Sequence, residues 1–186
     1  KSLFNSNNLL QYLKFNTKVL PTDVLAFDEV ENHELVNVYV PYMNINNYIY
    51  ELFGEFTYMH NGTVLLQSLL NNQNYHQETV CYVHVNKNQL DITVLNQRKL
   101  LLYNSFIYAT KEDFIYYLLF VLEQLDLDPK TAIVKLFGAI EEDDNVFQIC
   151  YSYIKNISIF APSSPHLIKL GEPASNSIDF TLINTL

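Results

Sequence analysis

VCYVHVNKNQLDITVLNQRKLLLYNSFIYATKEDFIYYLLFVLEQL, residues 80 to 125, is the stretch whose reading decides the fold. It reads as three consecutive strands, Thr79 to Val85, Leu90 to Leu95 and Lys99 to Tyr108, feeding into the most apolar helix of the chain. The middle strand alternates. Leu90, Ile92 and Val94 fall on one face and Asp91 and Thr93 on the other, the two-residue period of a pleated strand. The turns are Asn86-Lys87-Asn88-Gln89 and Asn96-Gln97-Arg98, where asparagine replaces glycine because it tolerates left-handed backbone. Thr110 with Asp113 resembles a capping box, aspartate standing for the usual glutamate, and sets the helix start; Pro129 ends it. Phe114, Tyr117, Leu118, Val121, Leu122 and Leu125 make one stripe. Ile115, Leu119 and Phe120 spread apolar character round much of the cylinder, so burial on most sides is expected.

Downstream, the β-branched run Thr131 to Phe137 predicts a strand ending at Gly138. Glu141 to Asp144 place four acids at the start of the next helix, where they favour its positive end. In that helix Val146, Ile149, Cys150, Tyr153 and Ile154 repeat at helical spacing. Asn156 to Phe160 predicts a last strand, closed by Pro162, and the tail from Ser163 reads as irregular, with Phe180 to Ile183 docking. Upstream, Leu9, Leu10 and Leu13 predict a helix that Asn5 or Ser6 caps. Asp23 to Val30 and Glu34 to Val40 predict strands around a turn at Glu31-Asn32-His33, the second stopped by Pro41. Ile45, Tyr48, Ile49 and Leu52 share one face of a helix that Gly54 terminates. A short strand, Phe56 to Met59, and a helix from Thr63 follow. The polar stretch Asn71 to Gln77 is the expected lobe boundary.

An internal echo organises this series. VNVYVP, YMNINNYIYELFG and EFTYMH read as strand, helix, short strand; TAIVKLFG, EEDDNVFQICYSYI and NISIFAP repeat the plan. Each would be a crossover unit with a parallel return. Preceded by the three strands and helix of residues 80 to 125, the second copy gives the order βββαβαβ. That is the order of a ribonuclease H-like lobe.

Two blocks carry a resemblance: VYVPYMNINNYIYELFGEFTYMH (residues 38 to 60) and LYNSFIYATKEDFIYYLLFVLEQLDLDP (residues 102 to 129). They resemble a Bacteroidetes family of unknown function with an actin-like ATPase fold. The resemblance runs from about LFNSNNLLQYL to the last strand. It implies an α/β, actin-like architecture of ribonuclease H-like lobes: residues 1–74 the remainder of a first lobe, incomplete here, 75–162 a second lobe, and 163–186 a tail. It also implies that more chain precedes Lys1. No activity comes with it.

Composition bounds the function. The chain has 186 residues, 49% hydrophobic and 17% charged, enough for a real core. Its formal charge of −9, from 20 acidic and 11 basic residues, argues against nucleic acid and anionic membranes, which need a basic surface. The longest apolar run, Phe114 to Leu122, is too short to cross a bilayer. No charged-then-apolar leader opens the chain, and two cysteines, Cys81 and Cys150, fit a reduced compartment; a cytoplasmic location is expected. Asn61-Gly62-Thr63 and Asn156-Ile157-Ser158 match glycosylation sequons, mostly accidental at this length.

No chemistry stands out. An actin-like ATPase grips phosphate in glycine-bearing hairpin turns, because close approach of backbone N–H groups needs glycine. The corresponding turn, Asn86 to Gln89, has neither glycine nor acid. Of the four glycines, Gly54, Gly62, Gly138 and Gly171, only Gly138 follows a core strand where nucleotide would lie. A nuclease needs converging carboxylates, and Asp91, Glu123 and Glu141 sit on separate elements. His76, Cys81 and His84 suggest a metal, but Cys81 and His84, three apart on a strand, point to opposite faces. His33, His60 and His166 are isolated. We therefore expect no catalytic, cofactor-binding or metal residues and no cofactor. The expected role is a degenerate, non-catalytic actin-like domain with a protein partner; Tyr48, Tyr50, Tyr116 and Tyr117 are expected first to line the junction between two lobes and second to mark the partner surface. The alternatives are an ATPase or kinase-like enzyme with phosphate loops upstream of Lys1, and a metal-dependent nuclease.

Overall fold

In the computed structural model, which describes residues 3–72 and 78–160, the chain divides into two units, Lys1–Leu69 and Leu70–Leu186. The expected boundary at residues 74–75, the tail from Ser163, His76 and His166 lie outside the described residues.

The second unit follows the sequence closely. Strands β3 (Thr79–Val85), β4 (Gln89–Asn96) and β5 (Lys99–Ile107) form an antiparallel meander, and β6 (Ile133–Gly138) and β7 (Asn156–Ile159) run parallel to β3. The sheet order is β5-β4-β3-β6-β7. Helices α4 (Lys111–Gln124) and α5 (Asn145–Tyr153) complete the order βββαβαβ. Because side chains alternate, Cys81, Val83 and Val85 of β3, Leu90, Ile92 and Val94 of β4, and Val134 and Leu136 of β6 share one face. They form one core with Phe114, Ile115, Leu118, Val121 and Leu122 of α4 and Phe147 and Cys150 of α5. Tyr116 and Phe120, on the remaining side of α4, are 62% and 41% exposed, so the helix is not buried on most sides as expected.

Both halves of the α4 capping box form. The Thr110 hydroxyl accepts from Asp113 N–H at 3.1 Å, and the Asp113 carboxylate accepts from Thr110 N–H at 3.0 Å and Ala109 N–H at 3.1 Å. Those backbone donors hold the Asp113 carboxyl below the usual carboxylate range. Thr110→Ala is expected to cost about 1 kcal/mol of stability in urea titrations, the usual worth of such a cap. The acids before α5 behave otherwise. Glu141 N–H donates to the Asp144 carboxylate at 2.8 Å, which folds residues 141–144 into a turn. Asp144 keeps extended backbone, the helix begins at Asn145, and no acid lies in its first turn, contrary to expectation.

In the first unit, a 3₁₀ turn at Ser6–Asn8, capped by Asn5, leads into α1 (Leu9–Leu13). Of its expected face Leu13 is buried and Leu10 is exposed. Strands β1 (Ala26–Glu29) and β2 (Val36–Tyr39) form an antiparallel hairpin whose turn places Asn32 at φ 59°. Helix α2 (Met43–Phe53) ends at Gly54, φ 80°, as read, yet none of its side chains is buried. Helix α3 (Asn61–Asn72) begins beside His60. The strand expected at Phe56 to Met59 does not form. Alternation alone does not make a strand without a neighbour to bond, and here Phe56 and Tyr58 instead contact each other, centroids 5.9 Å apart. The first copy of the echo is therefore not a crossover unit among the described residues, whereas the second, β6-α5-β7, is one.

Candidate functional site

In open sheets with parallel strands, ligands bind beyond the carboxyl ends of the strands. In the second unit that end carries the β3–β4 turn, the end of β5, Gly138 closing β6, and the N-termini of α4 and α5.

The turn, Gly138 and the start of α4 are engaged internally, whereas the α5 N-cap, Asp144, makes no side-chain capping bond. In the turn, Asn86 N–H donates to the Gln89 carbonyl at 2.8 Å. The Asn88 carbonyl accepts from Tyr108 N–H and the Asn86 carbonyl from the Tyr108 hydroxyl, both at 3.0 Å. No residue of the turn takes positive φ; the left-handed positions of the meander are Gln97 and Arg98 in the β4–β5 turn, at 47° and 65°, not an asparagine. Gly138 has a packing role. At φ 94°, a Cβ placed on it would lie 2.5 Å from the Val85 carbonyl oxygen and 2.9 Å from His84 Cδ2. The N-terminus of α4 is closed by its own box, and exposed Glu112, Glu141, Glu142, Asp143 and Asp144 outnumber exposed Lys87 and Lys111 at this end. Such a field repels phosphate.

Behind the turn lies a buried polar cluster on the sheet face opposite α4 and α5. His84 and Asp91 are register partners, 2% and 1% exposed, with His84 Nδ1 3.6 Å from Asp91 Oδ2, an electrostatic contact too long for a hydrogen bond. Asp91 Oδ1 accepts from Gln89 Nε2 at 2.8 Å and from the Ser105 hydroxyl. Burial alone would raise the Asp91 carboxyl; His84, Ser105 and Gln89 more than offset it, and the net shift is downward. The same charge joins burial in pushing the Tyr103 phenol up to about 12. The His84 ring stacks on Phe137, centroids 5.0 Å apart. Sequence spacing anticipated that Cys81 and His84 diverge: Cys81 belongs to the apolar core. Burial pushes the thiols of Cys81 and Cys150 up to about 12, so neither is an activated nucleophile.

The acids weighed for a nuclease are not brought together. Asp91 is enclosed by its partners, Glu123 is exposed on α4, across the sheet, and among the described residues no group of three or more His, Cys, Asp or Glu is placed to hold a metal ion.

The first unit holds a cluster that sequence reasoning missed. Asp28 on β1 accepts from the Tyr39 hydroxyl at 2.9 Å, His60 N–H at 2.7 Å and the Thr63 hydroxyl at 2.8 Å, while Asn37 Nδ2 donates to Thr63 at 2.9 Å. Burial first, then Asp28, raise the Tyr39 phenol. A carboxylate here ties the hairpin to the start of α3, where helix N–H groups favour negative charge. Its signal was an acid, Asp28, inside a predicted strand between Phe27 and Val30. A separate cavity of about 480 Å³ is lined by Lys18, Thr22, Asp23, Tyr42 and Asn44 among others. No described helix is long and apolar enough to cross a membrane.

The profile of a family described as "Protein of unknown function (DUF3822)" matches residues 1–157. No curated protein matches the chain. A solved structure from Bacteroides thetaiotaomicron VPI-5482, a protein with actin-like ATPase fold and unknown function, aligns with TM-score 0.77 at 20% identity, over 90% of this chain and 65% of that one. This chain thus spans less than two thirds of that protein and has its fold, that of the actin-like ATPases. The foamy viral protease-reverse transcriptase in complex with dsDNA aligns over 64% of this chain and 34% of that one, with 13% identity and a TM-score of only 0.29.

Proposed function

This chain belongs to the DUF3822 family, and from that premise we propose that it is a non-catalytic actin-like domain serving as a protein-interaction or assembly module. The observation that carries the proposal is the turn from Asn86 to Gln89. It stands where an actin-like ATPase would grip phosphate, yet it closes on itself and on Tyr108 without a glycine. Two features support the same reading. The glycine nearest this end, Gly138, is committed to packing on Val85 and His84. The exposed acids there disfavour an anionic ligand.

The rival reading is a nucleotide-dependent enzyme whose phosphate-binding loops lie in chain outside these residues. Because the neighbour is longer than this chain, the test belongs on the full-length protein. Calorimetric titration with Mg-ATP should show no saturable heat at protein concentrations near 50 µM, which would detect a Kd of about 10 µM or tighter. A micromolar Kd would overturn the proposal and favour the rival.

A further inference from the structure

We infer that the free edge of β5 is a self-association surface, pairing antiparallel with β5 of a second copy of this chain. This deepens the assembly reading and rests on it. The strand is nine residues long and ends the sheet, with β4 on one side and no described strand on the other. Tyr108 N–H donates to the Asn88 carbonyl, so by two-residue steps Phe106, Asn104 and Leu102 address β4, and Tyr103, Ser105 and Ile107 turn their backbone groups outward. Ser105 N–H indeed finds no strand and is held by its neighbour's Asn104 Oδ1 at 2.9 Å.

Edge strands are ordinarily protected by lysines, prolines or bulges. From Leu100 to Ile107 there is no charged residue and no proline. One irregularity of register near Leu101 leaves the outer part, Tyr103 to Ile107, regular. Apolar surface flanks this edge on both faces of the sheet, Ile107 on the face of Tyr103 and Ser105 and the α4 rings on the other. Ile107 is 74% exposed, and a series of rings runs from Phe106 through Tyr117 and Tyr116 to Phe120 on α4, with successive centroids 4.7, 5.5 and 6.3 Å apart.

Two arguments select a second copy as the occupant. Each copy carries −9, so self-contact is favoured only where charge is absent, and this strip is such a place. A two-fold axis at Ser105 sets Tyr103 opposite Ile107 twice, an aromatic and β-branched cross-strand pair. It also brings the α4 rings of both copies to the same side of the joined sheet. About six N–H···O bonds would form. The edge, Ile107, Tyr116 and Phe120 offer on the order of 500 Å² per copy, about 1,000 Å² in all, the range of weak and transient interfaces, which suits micromolar association.

The test is light scattering on the full chain from about 1 to 200 µM. The expected result is a monomer–dimer equilibrium that tightens toward about 1 M salt, where a Debye length of roughly 3 Å screens the repulsion. Ile107→Lys, at an exposed site, should weaken the dimer at least tenfold while leaving the circular dichroism spectrum unchanged, and Phe120→Glu should do the same. A monomer throughout, whether or not another protein's strand binds the edge, overturns the inference, as does a dimer that both variants leave intact. Either failure leaves the Mg-ATP result untouched, and nucleotide binding in turn leaves the dimer standing.

Discussion

Gly138→Ala is expected to destabilise the second unit by about 2–5 kcal/mol, read as a lower urea midpoint. Two costs combine. Gly138 sits at φ 94°, where a Cβ meets its own backbone, at roughly 1–2 kcal/mol for an L-residue. The added methyl would also lie 2.5 Å from the Val85 carbonyl oxygen, a backbone atom in the centre of the sheet. That oxygen already accepts from Ala139 N–H at 2.8 Å, so moving it strains the bond that continues β6 beyond the strand. Overpacking of this kind adds about 1–3 kcal/mol. A change below about 1 kcal/mol would mean that the strand ends separate freely and that Gly138 is not there for packing.

That glycine shows how far the sequence could be read. The glycine after a core strand was visible, and its place at the ligand-binding end of the sheet followed from topology. Its purpose was not, because the atoms it accommodates, Val85 O and His84 Cδ2, belong to a strand more than fifty residues away. Elsewhere in the second unit, local pattern and tertiary structure agree. The alternation of Leu90, Ile92 and Val94 and the capping box at Thr110 each specify one answer, and the structure adopts it. In the first unit they part. The face Ile45, Tyr48, Ile49 and Leu52 has helical period and forms a helix, but Ile45, Tyr48 and Leu52 are 49%, 62% and 56% exposed. Periodicity reports what a helix would bury, not whether a covering surface is present. Phe56 to Met59 failed for a related reason: strand pattern needs a ladder partner, which a single segment cannot announce.

The polar cluster was legible only as separate residues. Asp91 and Thr93 read as the polar face of an alternating strand, yet they are as buried as Leu90, Ile92 and Val94 on the other face. Both faces of β4 are covered, and alternation between apolar and polar residues then marks two kinds of interior rather than inside and outside. His84 was considered against Cys81, its neighbour in sequence, whereas its counterpart is Asp91 across the ladder. Register, not spacing, makes that pair.

The pairing leads to the other large effect. Asp91→Ala should cost about 3–5 kcal/mol at pH 7, because it strands His84 in a buried site and removes the acceptor of Ser105 and Gln89. A packing defect alone would give a loss that ignores pH, so the pH dependence separates the two accounts. The Asp91 carboxyl lies below its ordinary value in the folded chain, through contacts that outweigh its burial. The unfolded chain therefore binds this proton first. The stability that the carboxylate confers is fully present above about pH 4, the unfolded value, and is lost as pH falls through the lower folded value. Wild type and Asp91→Ala, compared by urea denaturation at pH 7 and near pH 3, should differ less at the acid end than at pH 7. His84 faces Asp91 across the ladder, so His84→Gln in the same series should reduce the acid dependence without abolishing it, since Ser105 and Gln89 still hold the carboxylate. Equal differences between wild type and Asp91→Ala at both pH values would show that Asp91 holds the sheet by shape rather than by charge.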